Sequence, residues 1–514
     1  MLKHPQQAST RVVMNTGILY AKMVITMGIT LYSTRLVLNA LGASDYGIFN
    51  LIAGVIAMLS FLNAAMTVST QRYLSFHQGT GDFAMQKKIF TNSWVLHIAI
   101  GVVVVVALLA LAPVLFNGFL NIPADRIPTA RTIYYFMLAS VFFTIISVPF
   151  TASLNAHENM LWIAVVNIIE SVVRLAIALS LLWFIQAERL AVYGLFTAVL
   201  SVISFVLYAA YCLKNYTECS IKEYTINKPL LKELGSFAGW NLFGSLCGVG
   251  KIQGLAVVLN LFFGTVVNAA FGIANQVSAQ VIFFSQTMLR AINPQIMISE
   301  GKNDRQRMLR LSLIASKFGF FLLAFVAIPI IFEMPVILQL WLKNVPDNTV
   351  VFCSLVLVAM LVNQLTIGSS SALQATGKIR AYLSITGSVL LLAVPLAYIL
   401  LKLGFPAHYA VISLVIMEII STVFKLYFWK HKAGLSIREY FERVVFKTII
   451  PTITIVAVCW LTTNYFNFEF RFLITGLVSV LFFALSIYFT GLCKDEKQLV
   501  DTLITEKILK KTKL

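Results

Sequence analysis

The sequence predicts an all-α polytopic membrane protein of about 14 transmembrane helices, and three observations carry that expectation. Fourteen apolar runs divide the 514 residues, and Lys and Arg gather in alternate gaps between them. With 59% hydrophobic and 12% charged residues, the chain has too little polar surface for a water-soluble fold of its length. An apolar run of about 20 residues crosses a bilayer as helix, because lipid offers no water to unpaired backbone groups.

The first run, 15–38, follows a polar start and is long enough to span, so no cleavable signal peptide is expected. Runs at 47–68, 89–115, 132–148, 161–185 and 190–213 complete a first group of six. The second group is 235–259, 266–288, 311–331, 350–367, 381–401 and 407–428, and a terminal pair follows at 448–462 and 472–490. Connections on one side are short, such as 186–189 and 402–406, whereas the polar segments 214–233, 293–310 and 430–447 all fall on the other. The expected organisation is an N-terminal six-helix lobe (1–213), a cytoplasmic linker (214–234) and a C-terminal six-helix lobe (235–429). A cytoplasmic connection with the terminal helix pair (430–492) and a basic tail (493–514) complete it.

With the N-terminus inside, 29 Lys and Arg fall on the cytoplasmic side. Six fall outside: Arg126, Arg131, Arg189, Lys343, Lys402 and Arg471. The positive-inside rule therefore places both termini in the cytoplasm. A formal net charge of +18 spread over short loops suits anionic headgroups and not nucleic acid. In the tail, Lys507, Lys510, Lys511 and Lys513 flank Ile508 and Leu509, the pattern of a helix lying on the inner leaflet. The six cysteines show no CxxC or Cys/His spacing, so no metal or other cofactor is expected.

A short internal repeat supports two like-oriented halves. Leu36-Val37-Leu38-Asn39 recurs as Val257-Val258-Leu259-Asn260, and Tyr46-Gly47-Ile48 as Phe271-Gly272-Ile273. Six runs separate the copies, an even number, so the repeat is parallel, about an axis along the membrane normal.

Six plus six plus two spans in this orientation resemble the polysaccharide-flippase branch of the multidrug/oligosaccharidyl-lipid/polysaccharide exporter superfamily. The opening is similar to bacterial O-antigen and capsule flippases, in Arg35 to Gly42, in Asp45-Tyr46-Gly47-Ile48 and in Gln71-Arg72-Tyr73. The resemblance implies a V-shaped pair of lobes and alternating access, in a bacterial plasma (inner) membrane. It also implies a polyprenyl-diphosphate-linked oligosaccharide moved from inner to outer leaflet, and no enzymatic activity. Asp45, Gly47, Arg72 and Arg290 are candidate gating or loop residues.

Ionisable groups inside apolar runs are costly unless paired, hydrated or snorkelling, which makes each a candidate site. Lys22 lies seven residues into the first run, about 10 Å of helix rise, so it either snorkels or faces a cavity. Arg35 has the same two options near the outer end. Arg174 sits 13 residues into its run, with Glu170 four residues earlier on the same helical face. That pair is either self-neutralised or a cationic centre held by, or proton-coupled to, Glu170. Lys251 stands 16 residues after Gly235 among Gly239, Gly244, Gly248, Gly250 and Gly254, whose GxxxG spacings let helices approach or bend. An ATP loop is excluded, because Ser245 and Ile252 occupy positions that need Gly and Ser/Thr. Glu418 lies centrally in the twelfth run, with Lys425 seven residues on, beyond a standard helix pair, and is a candidate ion-coupling group. His97 and His157 are isolated.

Lys22, Arg35, Arg174 and Lys251 together describe a cationic substrate cavity suited to a diphosphate, since low dielectric strengthens each charge contact. The partners expected are an anionic lipid-linked glycan, the phospholipid bilayer, a coupling H+ or Na+, and polysaccharide-assembly proteins. An organic-cation antiporter of the same superfamily would want acids in the first span, which has none. A peptidoglycan-precursor flippase stays open. A membrane glycosyltransferase or ligase lacks its expected outer catalytic surface and paired carboxylates.

Overall fold

A computed structural model describes residues 5–57, 60–116, 122–185, 188–220, 226–342, 345–466, 470–498 and 501, and all regular structure among them is helical. Lys3, Lys222, Lys343, Lys507, Lys510, Lys511 and Lys513 lie outside the described residues. The chain forms two compact units, Met1–Leu246 with Asn293–Asp304, and Cys247–Ile292 with Arg305–Leu514. The first holds α1 (Pro5–Ala57), α2 (Ser60–Thr80), α3 (Phe83–Val114), α4 (Ile127–Ile146), α5 (Val148–Ala156), α6 (Met160–Trp183), α7 (Arg189–Asn215) and both ends of α8 (Lys228–Gly301). The second holds the middle of α8 with α9 (Arg305–Phe332), α10 (Met334–Leu342), α11 (Thr349–Gln364), α12 (Ile367–Thr376), α13 (Arg380–Leu391) and α14 (Ala393–Lys402). It ends with α15 (His408–Phe428), α16 (Ile437–Tyr440), α17 (Phe446–Tyr465) and α18 (Arg471–Ser486).

Among the described residues, eleven helices are long and apolar enough to cross a membrane, or twelve when α11 and α12, bent by 43°, form one span. The number is lower than fourteen apolar runs for identifiable reasons. Helix α8 contains two of those runs in one 74-residue element, and the run at 47–68 passes through 58–59, outside the described residues. Exposed apolar side chains, such as Val102, Val103 and Val106 on α3 and Leu473, Leu477 and Leu481 on α18, give these helices lipid-compatible faces.

Each copy of the sequence repeat ends its first helix on one unusual glycine. Gly42 in α1 has φ 76° and ψ 167°, and Gly264 in α8 has φ 76° and ψ −165°. That region of backbone space is open only to glycine, because a Cβ there meets the neighbouring carbonyls. Both kinks fall shortly after the repeated Asn, at Asn39 and Asn260.

One segment departs from expectation. Residues 293–310 read as a polar loop, yet α8 continues to Gly301 and its last turns are buried within the first unit. Two of the polar side chains that suggest a loop are bonded internally: the Gln295 amide donates to the Glu158 carboxylate, and Ser299 Oγ donates to the Gln295 carbonyl at 2.7 Å. Here α8 meets the end of α2 at glycine. A Cβ on Gly301 would lie 2.0 Å from the Phe76 carbonyl oxygen, and one on Gly79 would lie 2.3 Å from that of Ile298. Both obstacles are backbone, so Gly301→Ala should force the helices apart and cost about 1–3 kcal/mol, as overpacking does. The expected readout is a lowered thermal unfolding midpoint of the solubilised protein, and an unchanged midpoint would contradict the crossing.

Candidate functional site

In the second unit the deep charges form a network around Glu418. Its carboxylate, 4% exposed, accepts from Lys425 Nζ at 2.7 Å and from Asn363 Nδ2 at 2.6 Å. Lys251 Nζ stands 3.6 Å from its second oxygen. Two expectations are corrected here. Lys425 does reach Glu418 across two helical turns, because side chains lean toward the N-terminus of a helix and lysine has a long stem. Lys251 is an ion-pair partner and not a solitary cation. Asn363, at the end of α11 just before the bend into α12, had no signal in the sequence.

The local packing explains how Lys251 arrives there. A Cβ on Gly254 would meet Val394 Cγ2 at 2.6 Å, and one on Gly250 would meet Leu391 Cδ1 at 3.0 Å, so this GxxxG spacing is where α8 approaches α13 and α14. Around Gly248 there is open space, so close approach does not require glycine at that position. One carboxylate against two ammonium groups leaves one surplus positive charge within the apolar helices. It is best assigned to Lys251, whose side chain is 22% exposed against 7% for Lys425.

In the first unit, Arg174 Nη2 lies 3.5 Å from Glu170 Oε1 on α6, with the side chains 43% and 36% exposed. This pair is loose and open, and it occupies little of the guanidinium's five-donor capacity. One turn before Glu170, Asn167 Nδ2 donates to the Tyr208 hydroxyl at 3.0 Å. Lys22 is half-buried on α1, which packs along α6. Arg35 and Arg290 are exposed and form no ion pair among the described residues.

The loop-motif residues have clasping contacts. Asp45 pairs with Arg126 Nη2 at 3.1 Å, and Arg126 also approaches Glu188 at 3.6 Å. Arg189 Nη1 donates to the Ala40 carbonyl at 3.0 Å, fixing the end of the helix just before the Gly42 kink. Gly47 is not sterically required, since an added Cβ meets nothing within 4 Å; the glycine this motif needs is Gly42. Arg72 is buried under aromatic rings, its guanidinium carbon 4.5 Å from the Tyr73 ring centre and 4.9 Å from that of Phe76, while Tyr73 donates to Glu233 at 2.9 Å. This arrangement anchors the end of α2 through cation–π contacts.

The histidines are less isolated than expected. His157 Nε2 meets Glu218 Oε1 at 2.5 Å and stacks on Tyr216, and His97 Nδ1 meets the Ser93 carbonyl at 2.5 Å. Among the described residues, no group of three His, Cys, Asp or Glu is placed to hold a metal.

Two further buried pairs had no signal in the sequence. Lys317, assigned above to the cytoplasmic side, is buried inside α9 against the Glu496 carboxylate. Arg471 binds Glu333 in a bidentate fork at 3.0 Å and 3.0 Å, and Thr475 donates to the same buried acid at 2.7 Å. Both joins link residues more than 130 positions apart, which spacing rules cannot see. Glu333→Gln should strand Arg471 and cost about 3–5 kcal/mol, the usual effect of breaking a buried pair. Abundance and thermal unfolding read this, and wild-type values in both would contradict the pairing.

A family model described as "Polysaccharide biosynthesis protein" matches residues 12–297. No curated protein matches this chain. Among solved structures, a crystal structure of a MATE mutant is similar at 16% identity and a TM-score of 0.73, covering 84% of this chain and 97% of that one. An outward-facing multidrug resistance MATE transporter of the MOP superfamily matches at 15% identity and TM-score 0.72, covering 84% and 97%. A MOP superfamily transporter from Pyrococcus furiosus, described as having a binding pocket of reverse polarity that suggests a different function, matches at 16% identity and 0.71, covering 84% and 96%. At these identities the likeness establishes a MATE-like transporter fold.

Proposed function

Because the chain belongs to the polysaccharide biosynthesis protein family, we propose that it carries a polyprenyl-diphosphate-linked oligosaccharide from the cytoplasmic to the outer leaflet of a bacterial inner membrane. The observation that carries this reading is the surplus positive charge at the Lys251–Glu418–Lys425 network. A buried excess of cation is expensive in an apolar helix bundle and needs an anion to repay it. Arg174, loosely held and open in the other unit, is a second position able to bind phosphate through a guanidinium fork. Polysaccharide biosynthesis as the family's description and phosphate as the chemistry of its carrier lipids point the same way.

Transport proceeds by alternating access in this proposal, with Glu170 as the ion-coupling group and H+ or Na+ as the ion. Asp45 and Arg126 form the outer clasp, with both chain termini in the cytoplasm. A second reading, an ion-coupled multidrug antiporter, is favoured by the MATE neighbours alone. A deletion strain separates the two. The flippase reading expects loss of surface polysaccharide, accumulation of its lipid-linked precursor and unchanged drug susceptibility. Increased drug susceptibility with normal surface polysaccharide would favour the antiporter.

A further inference from the structure

Outside the transport network, the second unit holds a cavity of about 530 Å³ lined by Arg310, Arg443, Lys447, Cys493, Lys494 and Asp495. Four of its six lining side chains are cationic and one is acidic. It is built from the start of α9, the turn preceding α17, the first turn of α17, and the segment following α18. Asp495 organises it: Arg310 Nη2 lies 2.5 Å and Arg443 Nη1 3.3 Å from the same carboxylate oxygen. Partial burial pushes the Asp495 carboxyl up, but the two guanidinium groups outweigh that and hold it below the usual carboxylate range. Asp495 is therefore ionised and neutralises one of the four cations.

The other local acids reduce the excess without removing it. Glu439 pairs with Arg443 Nε at 3.1 Å, Glu442 is taken by Arg438 at 2.7 Å, and Glu496 is taken by Lys317 beneath the site. Lys447 Nζ donates to the Thr490 carbonyl at 3.2 Å, and Lys494 is exposed with no partner among the described residues. These contacts use a minority of the N–H donors that two Arg and two Lys supply. The donors left over match the oxygens of a phosphate.

The surroundings select the source of that phosphate. Phe441, Phe446 and Phe489 are exposed and lie in sequence beside the lining residues, and Lys497 sits 4.5 Å from the Tyr488 ring centre. Exposed apolar rings beside clustered cations mark the level where helices leave the hydrocarbon and meet headgroups. We propose that this cavity binds the phosphate headgroup of an anionic lipid in the adjoining leaflet. This site is separate from the transport network and does not depend on which glycan is carried.

The test is native mass spectrometry of the full-length protein in detergent, titrated with phosphatidylglycerol or phosphatidylcholine and without any glycan. Wild-type protein should retain phosphatidylglycerol preferentially. Arg310→Gln combined with Lys494→Gln should lower that preference by about thirtyfold, on the scale of two lost headgroup-attracting cations. Lys494→Gln alone, at a side chain that holds nothing together, should lower it in the same direction, and Lys402→Gln should leave it unchanged. Equal retention of both lipids, or wild-type preference in the Lys494→Gln protein, overturns the proposal. Displacement of phosphatidylglycerol by millimolar inorganic phosphate would make the ligand a soluble anion and overturn the lipid assignment. Binding is read without transport, so its failure leaves the flippase reading standing, and failed transport leaves this site standing.

Discussion

Glu418→Gln should remove most of the folded protein from the membrane, whatever the substrate. The substitution keeps the shape and the Asn363 contact but leaves Lys251 and Lys425 facing each other without a counter-charge. Stranding a buried charge in this way costs about 3–5 kcal/mol, a large part of the stability of an ordinary domain. The pattern of second-site changes makes the prediction specific. Glu418→Gln combined with Lys425→Met should recover abundance, because one cation then remains and Lys251 is the one with access to the surface. Lys251→Ala alone should keep abundance, since Glu418 and Lys425 still neutralise each other, yet it should lose export because the surplus charge is gone. Immunoblots of membrane fractions beside surface-polysaccharide measurement separate these outcomes. Wild-type abundance in Glu418→Gln would show that the three residues are not electrostatically coupled.

Arg174→Ala should do the opposite, abolishing export while leaving membrane abundance normal. Its pair with Glu170 is long and both side chains are well exposed, so the stability it supplies is at most about 1 kcal/mol. A charged hydrogen bond to a phosphate is worth about 1.5–3 kcal/mol, so transport should fall by about tenfold or more. Arg174→Lys should recover part of the activity, because it keeps charge but loses the fork. Glu170→Gln should leave substrate binding intact and, where Glu170 couples the ion, abolish the pH or Na+ dependence of transport. Full export in Arg174→Ala would remove the guanidinium from the mechanism.

The membrane fold was legible because its signals are local. Apolar run length names the spans, whereas the kink at Gly42, three residues after the repeated Leu-Val-Leu-Asn segment, is seen only in the structure. Glu170 and Arg174 were readable as a pair because four residues on a helix is a contact distance. What the sequence left hidden is long-range or two-sided. Lys425 and Lys317 resemble loop charges until their acids, Glu418 and Glu496, are seen to meet them inside the helices. The polar content of 293–301 resembled a loop because its partner, Glu158, lies far away in the chain. Lys251 was legible as a deep cation, but its counter-ion comes from a helix more than 160 residues later, which composition cannot supply.

The most direct test of the account is leaflet-resolved movement of a lipid-linked oligosaccharide in proteoliposomes containing the purified chain. A membrane-impermeant glycosidase or oxidant reads the fraction of glycan on each side. Wild-type protein should transfer the diphosphate-linked glycan across the bilayer, and Arg174→Ala or Lys251→Ala inserted at equal amounts should not. Transfer at the rate of empty liposomes by the wild-type protein, or undiminished transfer by both variants, would contradict it.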